Sequence, residues 1–289
     1  MINLYQQRDF SEKINVTFQY AIQEMRSLGM ALLYIAGPLA LASGIISGYL
    51  QATVTTGIQA GTRVTPFFGT TSSLMLVFLT YFLTLLTGLL VSLVVYAHLK
   101  IYDRTNGGPV TVSEVWEEIQ ASLGQSIGVG IVTLLLTILA FFVFFFPAIY
   151  LGVVFSLAII IVVFERPGLG PTISRCFNLI RDKWWSTFGL LLIMGIIVYV
   201  ISFIFNAPLI AFTLLKSFRV LSDIPEPFTI LATIISTIGS SVMSALGALA
   251  LAFQYFNLVE RQEGRGLLSD IESIGSTPTK PRFDDEGDY

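Results

Sequence analysis

Residues Thr172–Gly195 read "TISRCFNLIRDKWWSTFGLLLIMG". This stretch turns from charge to hydrocarbon within one helical turn. Arg175, Arg181, Asp182 and Lys183 come just before Trp184 and Trp185, and no further ionic residue occurs until Lys216. At helical spacing Ile173, Phe177, Ile180 and Trp184 share one face, while Arg175, Asn178, Asp182 and Lys183 fall elsewhere. That is the pattern of an amphipathic helix lying along lipid headgroups and feeding a membrane span. The two indoles, wet at one edge and apolar at the other, suit the boundary between those environments.

The same order occurs twice more. In "TVSEVWEEIQASLGQSIGVGIV", Thr111 and Glu114 make a capping-box pattern, and Trp116, Ile119, Leu123 and Ile127 form the apolar stripe. In "DFSEKINVTFQYAIQEMRSLGMALL", Asp9 and Glu12 make a similar cap before Ile14, Phe18, Ala21 and Met25. Gly29, Gly128 and Gly189 take matching places. The expected fold is therefore an all-α integral membrane protein: six transmembrane helices in three repeated units, each an interfacial amphipathic helix plus a transmembrane hairpin.

Composition agrees. Only 12% of the 289 residues are charged, about half the usual share of a soluble domain, and mean hydropathy is +0.77. The intervals Arg26–Arg63, Arg63–Lys100, Glu118–Glu165, Lys183–Lys216 and Glu226–Glu260 hold no ionic residue, and a bilayer core of about 30 Å needs roughly 20 apolar residues per helix. Six spans fit, over residues 30–50, 73–96, 127–145, 150–164, 185–205 and 228–253, with interfacial helices over 9–28, 112–125 and 172–184. The uncharged run from Ser126 to Phe164 is nearly twice one bilayer crossing, so it is expected to fold back at Pro147, which lacks a backbone donor. Residues 1–262 make the membrane domain and 263–289 a largely disordered cytoplasmic tail. The Thr- and Gly-rich segment after Leu50 reads as an external loop, and the apolar stretch around 207–228 as a surface helix in preference to a partial re-entrant segment. The first 28 residues lack the pattern of a cleaved signal.

Thirteen of the 16 Lys and Arg residues then fall on one side, leaving Arg63, Lys216 and Arg219 opposite. The positive-inside rule puts both termini in the cytoplasm. The segment "SRCFNLIRDKWWSTFGLLLI" and the six-span plan resemble the bacterial proteins grouped with the glycerophosphoryl diester phosphodiesterase membrane domain and related families without assigned activity. The ending "YFNLVERQEGRGLLSDIESIG" is similar to tails in membrane proteins of the Bacteroidetes. The resemblance implies a bacterial inner-membrane location. The phosphodiesterase barrel sometimes fused to that domain has no counterpart here, so no catalytic residue carries over.

The spans hold no central Asp, Glu, Lys or Arg, which argues against proton relays and intramembrane proteolysis. One Cys and one His cannot assemble a metal site, and no cofactor or nucleic-acid partner is expected. His98 is read as an exposed interface residue beside Lys100. Arg166, Arg175, Arg181 and Lys183, with Trp184 and Trp185, are the lipid-headgroup candidates. Ala40, Gly44 and Gly48, and Ser240, Ser244 and Ala248, form small-residue faces for helix packing. Membrane lipids are the expected partners, with a membrane-protein partner or a second copy also compatible. The expected role is a non-enzymatic scaffold or lipid-interacting component of a membrane assembly. The alternative is a transporter of a small neutral or amphiphilic solute through a groove lined by Thr80, Thr84, Ser240 and Ser244.

Overall fold

The computed structural model describes residues 2–59, 71–218 and 225–266. All regular structure among them is helical. The chain runs through α1 (Phe10–Gln23), α2 (Met25–Ala31), a π-helical turn (Leu32–Ala36), α3 (Gly37–Gln59), α4 (Thr71–Arg104) and α5 (Val112–Val143). It continues through α6 (Phe145–Phe155), α7 (Ala158–Glu165), α8 (Leu169–Ile180), α9 (Trp184–Ser217) and α10 (Glu226–Glu263). Six helical stretches are long and apolar enough to cross a membrane: Met25–Ala52, Leu74–Arg104, Val112–Val143, Phe145–Glu165, Trp184–Leu215 and Pro227–Glu263. That is the signature of a multi-pass membrane protein.

The three junctions between amphipathic helix and span differ. The first bends at Glu24 between α1 and α2, the second is one unbroken helix, and the third breaks at a turn over Arg181–Lys183. The hairpin between the third and fourth spans turns at extended Phe144 rather than at Pro147, which lies in the first turn of α6. A first-turn amide has no helical acceptor, so proline costs nothing there. Pro38 follows the π-helical turn, where a wide turn makes room for a ring that would otherwise strike the carbonyl four residues earlier. The segment expected as a separate surface helix is instead a continuation of α9 past Pro208 as far as Ser217. The centre of the Thr- and Gly-rich loop with Arg63, the residue Arg219, and the tail beyond Gly266 lie outside the described residues.

α10 is the hub, packed by α3, α9, α4, α1 and α8. From Ala248 to Glu260 every residue is buried. Tyr20, Tyr96, Tyr102, Phe253, Tyr255 and Phe256 close around this end. Towards the other end large apolar side chains face outward, among them Phe78, Phe142, Phe146, Tyr199 and Ile204. There Gly44 and Gly48 meet the backbone of α10: a Cβ on either would lie 3.0 Å from the Cα of Ile234 or Ile230. Nothing larger than hydrogen allows that approach.

Each amphipathic helix packs much of its expected stripe, with Ile119 and Ile180 buried and Ile14, Phe18, Ala21, Leu123, Ile173 and Trp184 partly buried against the core, and buries polar residues beside it. α1 buries Lys13, Val16, Thr17 and Tyr20, while Met25 of the expected stripe is 70% exposed. α5 buries Val115, Ile119, Ser122 and Ser126 and exposes Trp116 and Ile127. α8 buries Thr172, Cys176, Leu179 and Ile180, with Phe177 partly exposed. Hydroxyls and an ammonium need partners once buried, so these polar positions turn towards the bundle where partners are found.

Candidate functional site: the basic face of the bundle

The site is built where α7, α8, α9, α10 and the amino-terminal segment meet. α7 ends at Glu165, and Arg166 follows in the left-handed region at φ 50°. α8 ends at Ile180, after which Arg181 (φ −51°, ψ 131°) and Asp182 (φ 63°) make a tight turn closed by the Lys183 amide donating to the Ile180 carbonyl at 2.9 Å. This is type II turn geometry, and aspartate tolerates the left-handed position better than most residues. The turn pushes Arg181, Asp182 and Lys183 into the open, directly beneath the two tryptophans.

The basic residues named from sequence separate into two sets. Arg175 is held: its Nε donates to both oxygens of Glu165 at 3.1 and 3.0 Å, and its Nη2 donates to Glu165 Oε1 at 3.0 Å. Nη2 also meets Glu263 Oε1 at the end of α10. The Tyr255 hydroxyl adds a third donor to Glu165 at 2.8 Å, and Arg265 donates to Glu263 at 2.6 Å. Burial pulls the Arg175 guanidinium down, but its bonds to Glu165 and Glu263 outweigh this and hold it above its ordinary value. Arg166 is held too, 2.6 Å from Glu118, which also pairs with Lys100 at 2.9 Å.

Arg181 and Lys183 have no such partner. They line a cavity of about 370 Å³ together with Arg261, Asp182, Gln7, Leu258 and Gln262. Among the described residues Arg261 donates to the Asn257 amide oxygen, at 2.9 Å. Behind them lies Lys13, 4% exposed. Its ammonium donates to Gln254 Oε1 at 2.8 Å and to Ser186 Oγ at 3.4 Å, with the Phe10 ring 5.8 Å away. Gln254 is fixed in turn by donating to Thr187 Oγ1 at 2.8 Å. Burial pushes the Lys13 pKa down, the charges of Arg261 and Lys183 push it further, and Asp9 only partly opposes them. Among the described residues no carboxylate lies within ion-pair distance of Lys13, Arg181, Lys183 or Arg261.

Trp184 stacks on Phe188 at 5.2 Å and on Tyr150 at 5.8 Å, and its indole N–H donates to the Tyr150 carbonyl at 3.3 Å. Trp185, at right angles to it, is 77% exposed. Cys176 is a buried thiol, pushed up to about 12 chiefly by burial, and so is inert.

His98 is not at the surface, as the sequence suggested, but fully buried. Tyr20 Oη lies 2.8 Å from its Nδ1 and Ser27 Oγ 2.9 Å from its Nε2. Ser27 also donates to Glu24 Oε2 at 2.9 Å. These bonds close as one chain when Tyr20 donates to Nδ1, Nε2–H donates to Ser27 and Ser27 donates to Glu24. The serine proton then belongs to the carboxylate, and the chain clamps the bent α1–α2 corner onto α4.

The small-residue positions serve three contacts. Gly44 and Gly48 face Ile234 and Ile230, and Ala40 lines an apolar groove with Ile238. Ser240 accepts from Asn206 of α9 at 3.2 Å. Ser244 and Ala248 line a second apolar groove with Gly88 and Met194. Thr84 sits 3.5 Å from Ser43 and Thr80 Oγ1 is buried without a partner, so Thr80, Thr84, Ser240 and Ser244 are spread over separate contacts. No family model matches the chain, and no curated protein or solved structure is significantly similar to it.

Proposed function

We propose that the chain is a non-catalytic inner-membrane protein with both termini cytoplasmic, acting as a scaffold or lipid-interacting component of a membrane assembly. One observation supports this reading: Arg181, Lys183 and Arg261 outnumber the single carboxylate, Asp182, in a cavity at the foot of an apolar girdle. The anionic inner leaflet rewards each nearby basic residue by about 1 kcal/mol. The amphipathic helices α1 and α8 and the start of α5 would ring that face, whether or not the three units share descent. Within the spans, the hydroxyls of Thr87, Ser92, Thr133, Thr137, Thr233 and Thr237 donate to carbonyls four residues back on their own helices. Hydroxyls so engaged supply neither a nucleophile nor a polar path. The likeness to the phosphodiesterase-linked membrane domain supports the architecture, not that enzyme's activity.

Extraction of the full chain into polymer-bounded native discs tests this. Anionic phospholipid is expected to be enriched over the bulk membrane, with no lipid turned over on incubation. Equal lipid composition in disc and membrane would overturn the reading. So would hydrolysis abolished by a single side-chain change.

A further inference from the structure

We infer that Lys13, Arg181, Lys183 and Arg261, together with the start of α9, form a built site for a phosphate group. The inference sharpens the lipid-interacting reading and rests on it only for the source of that phosphate. Three neighbouring features carry it: a cavity, a buried ammonium beside it and the start of α9, the last two standing next to the cavity rather than in its lining. Arg181, Lys183 and Arg261 share a cavity with a single carboxylate, Asp182, so the lining carries a surplus of positive charge. Lys13, more than nine-tenths buried, brings a further ammonium against Ser186 in the first turn of α9, and among the described residues it donates to that hydroxyl and to the Gln254 amide oxygen and faces the Phe10 ring. The amide of Thr187 is the first in α9 to find a carbonyl, that of Lys183. The amides of Trp184, Trp185 and Ser186 therefore stand at the positive end of a 34-residue helix dipole.

A buried ammonium without a counter-charge is costly. Arg261 and Lys183 raise that cost by repulsion. A dianionic group placed among them removes the repulsion and takes charge-assisted bonds from lysine, arginine and helix amides together, as anions at helix N-termini do. The tryptophans above the turn place the cavity where a headgroup phosphate would hang from acyl chains.

The test uses the full-length chain with Trp116→Phe, so that emission comes from Trp184 and Trp185. Quenching by brominated phosphatidate and by brominated phosphatidylcholine is compared at equal mole fraction in phosphatidylcholine discs. Phosphatidate is expected to quench at roughly tenfold lower mole fraction. Lys13→Met, and separately Arg261→Gln, should bring the two lipids to within about twofold of each other. Monodisperse elution checks the fold of each variant, and Arg261→Gln, at an exposed position, keeps the test open should Lys13→Met fail to assemble. Inorganic phosphate added from the aqueous side distinguishes the sources. Reversal of quenching at millimolar phosphate assigns the site to free phosphate, and its persistence to the lipid.

Equal quenching by both lipids in the parent, or an undiminished preference in both variants, overturns the site. If preference survives both changes while anionic lipid still copurifies, the site alone falls. If neither preference nor enrichment exists, the lipid-interacting reading falls with it.

Discussion

Arg175 and Arg181 stand six residues apart on one segment, yet the fold uses them in opposite ways. Arg175 joins the end of α7 to the end of α10 through two carboxylates. Arg181 leaves the helix in a tight turn and lines a cavity with Lys183 and Arg261, where, among the described residues, it makes no ion pair and Asp182 is the one carboxylate. The first set is internal mortar, and its charge is spent. The second makes no ion pair among the described residues. A count of basic residues on this face treats the two sets as equal.

The comparison is broken most forcefully from the paired side. Glu165→Ala leaves Arg175 and the Tyr255 hydroxyl without their shared acceptor. The pair is about a fifth exposed, 22% and 19%, so the loss should be about 2 kcal/mol, below that of a fully enclosed pair. Thermal unfolding in mild detergent measures it. A loss no larger than that of a surface pair, about 0.5 kcal/mol, would mean that the network is not structural.

Lys13→Met should act in the opposite direction. With no anion present, replacing an uncompensated ammonium by a thioether of similar length should stabilise the chain by about 1 kcal/mol at neutral pH. The sign of the pH effect follows from the lowered pKa. Lys13 sits below its ordinary 10.5 in the folded chain, so between the two values the unfolded chain holds the extra proton. Stability then rises with pH through that window. Parent minus Lys13→Met should therefore shrink as pH approaches 10.5. A difference independent of pH would show that Lys13 is neutralised in the folded chain by a partner.

The six long apolar helices were legible because a helix fit to cross hydrocarbon tolerates so little charge that uncharged intervals mark it. The break inside the long apolar run was legible as well, although its position follows helix-end chemistry at Phe144 and not the proline alone. The bundle-facing stripes were legible only in part. Amphipathic reading selects the apolar stripe and passes over polar residues that turn inward to a partner. Lys13, Val16, Thr17 and Tyr20 do recur at helical spacing, so the signal existed, but a lysine in the pattern reads as outward-facing. The pairing of Arg175 was hidden because one of its partners, Glu263, lies 88 residues away. His98 was misplaced for the same reason: Tyr20 and Ser27, which cover it, come from a corner whose bend the sequence does not announce.

The smallest expected effect is the one that sharpens the distinction most. Arg166→Gln removes the same formal charge as Arg181→Gln, from the same face. Arg166 is 45% exposed, and Glu118 keeps Lys100 at 2.9 Å when it is gone, so the stability change should stay below about 0.5 kcal/mol. The cavity should hardly feel the loss either, because Arg166 is not among the residues that line it. The preference of Trp184 and Trp185 for brominated phosphatidate should therefore survive Arg166→Gln and drop several-fold in Arg181→Gln. Equal loss in both variants would mean that the lipids respond to the summed charge of the face. Carboxylate pairing would then no longer separate the two sets of arginines in function.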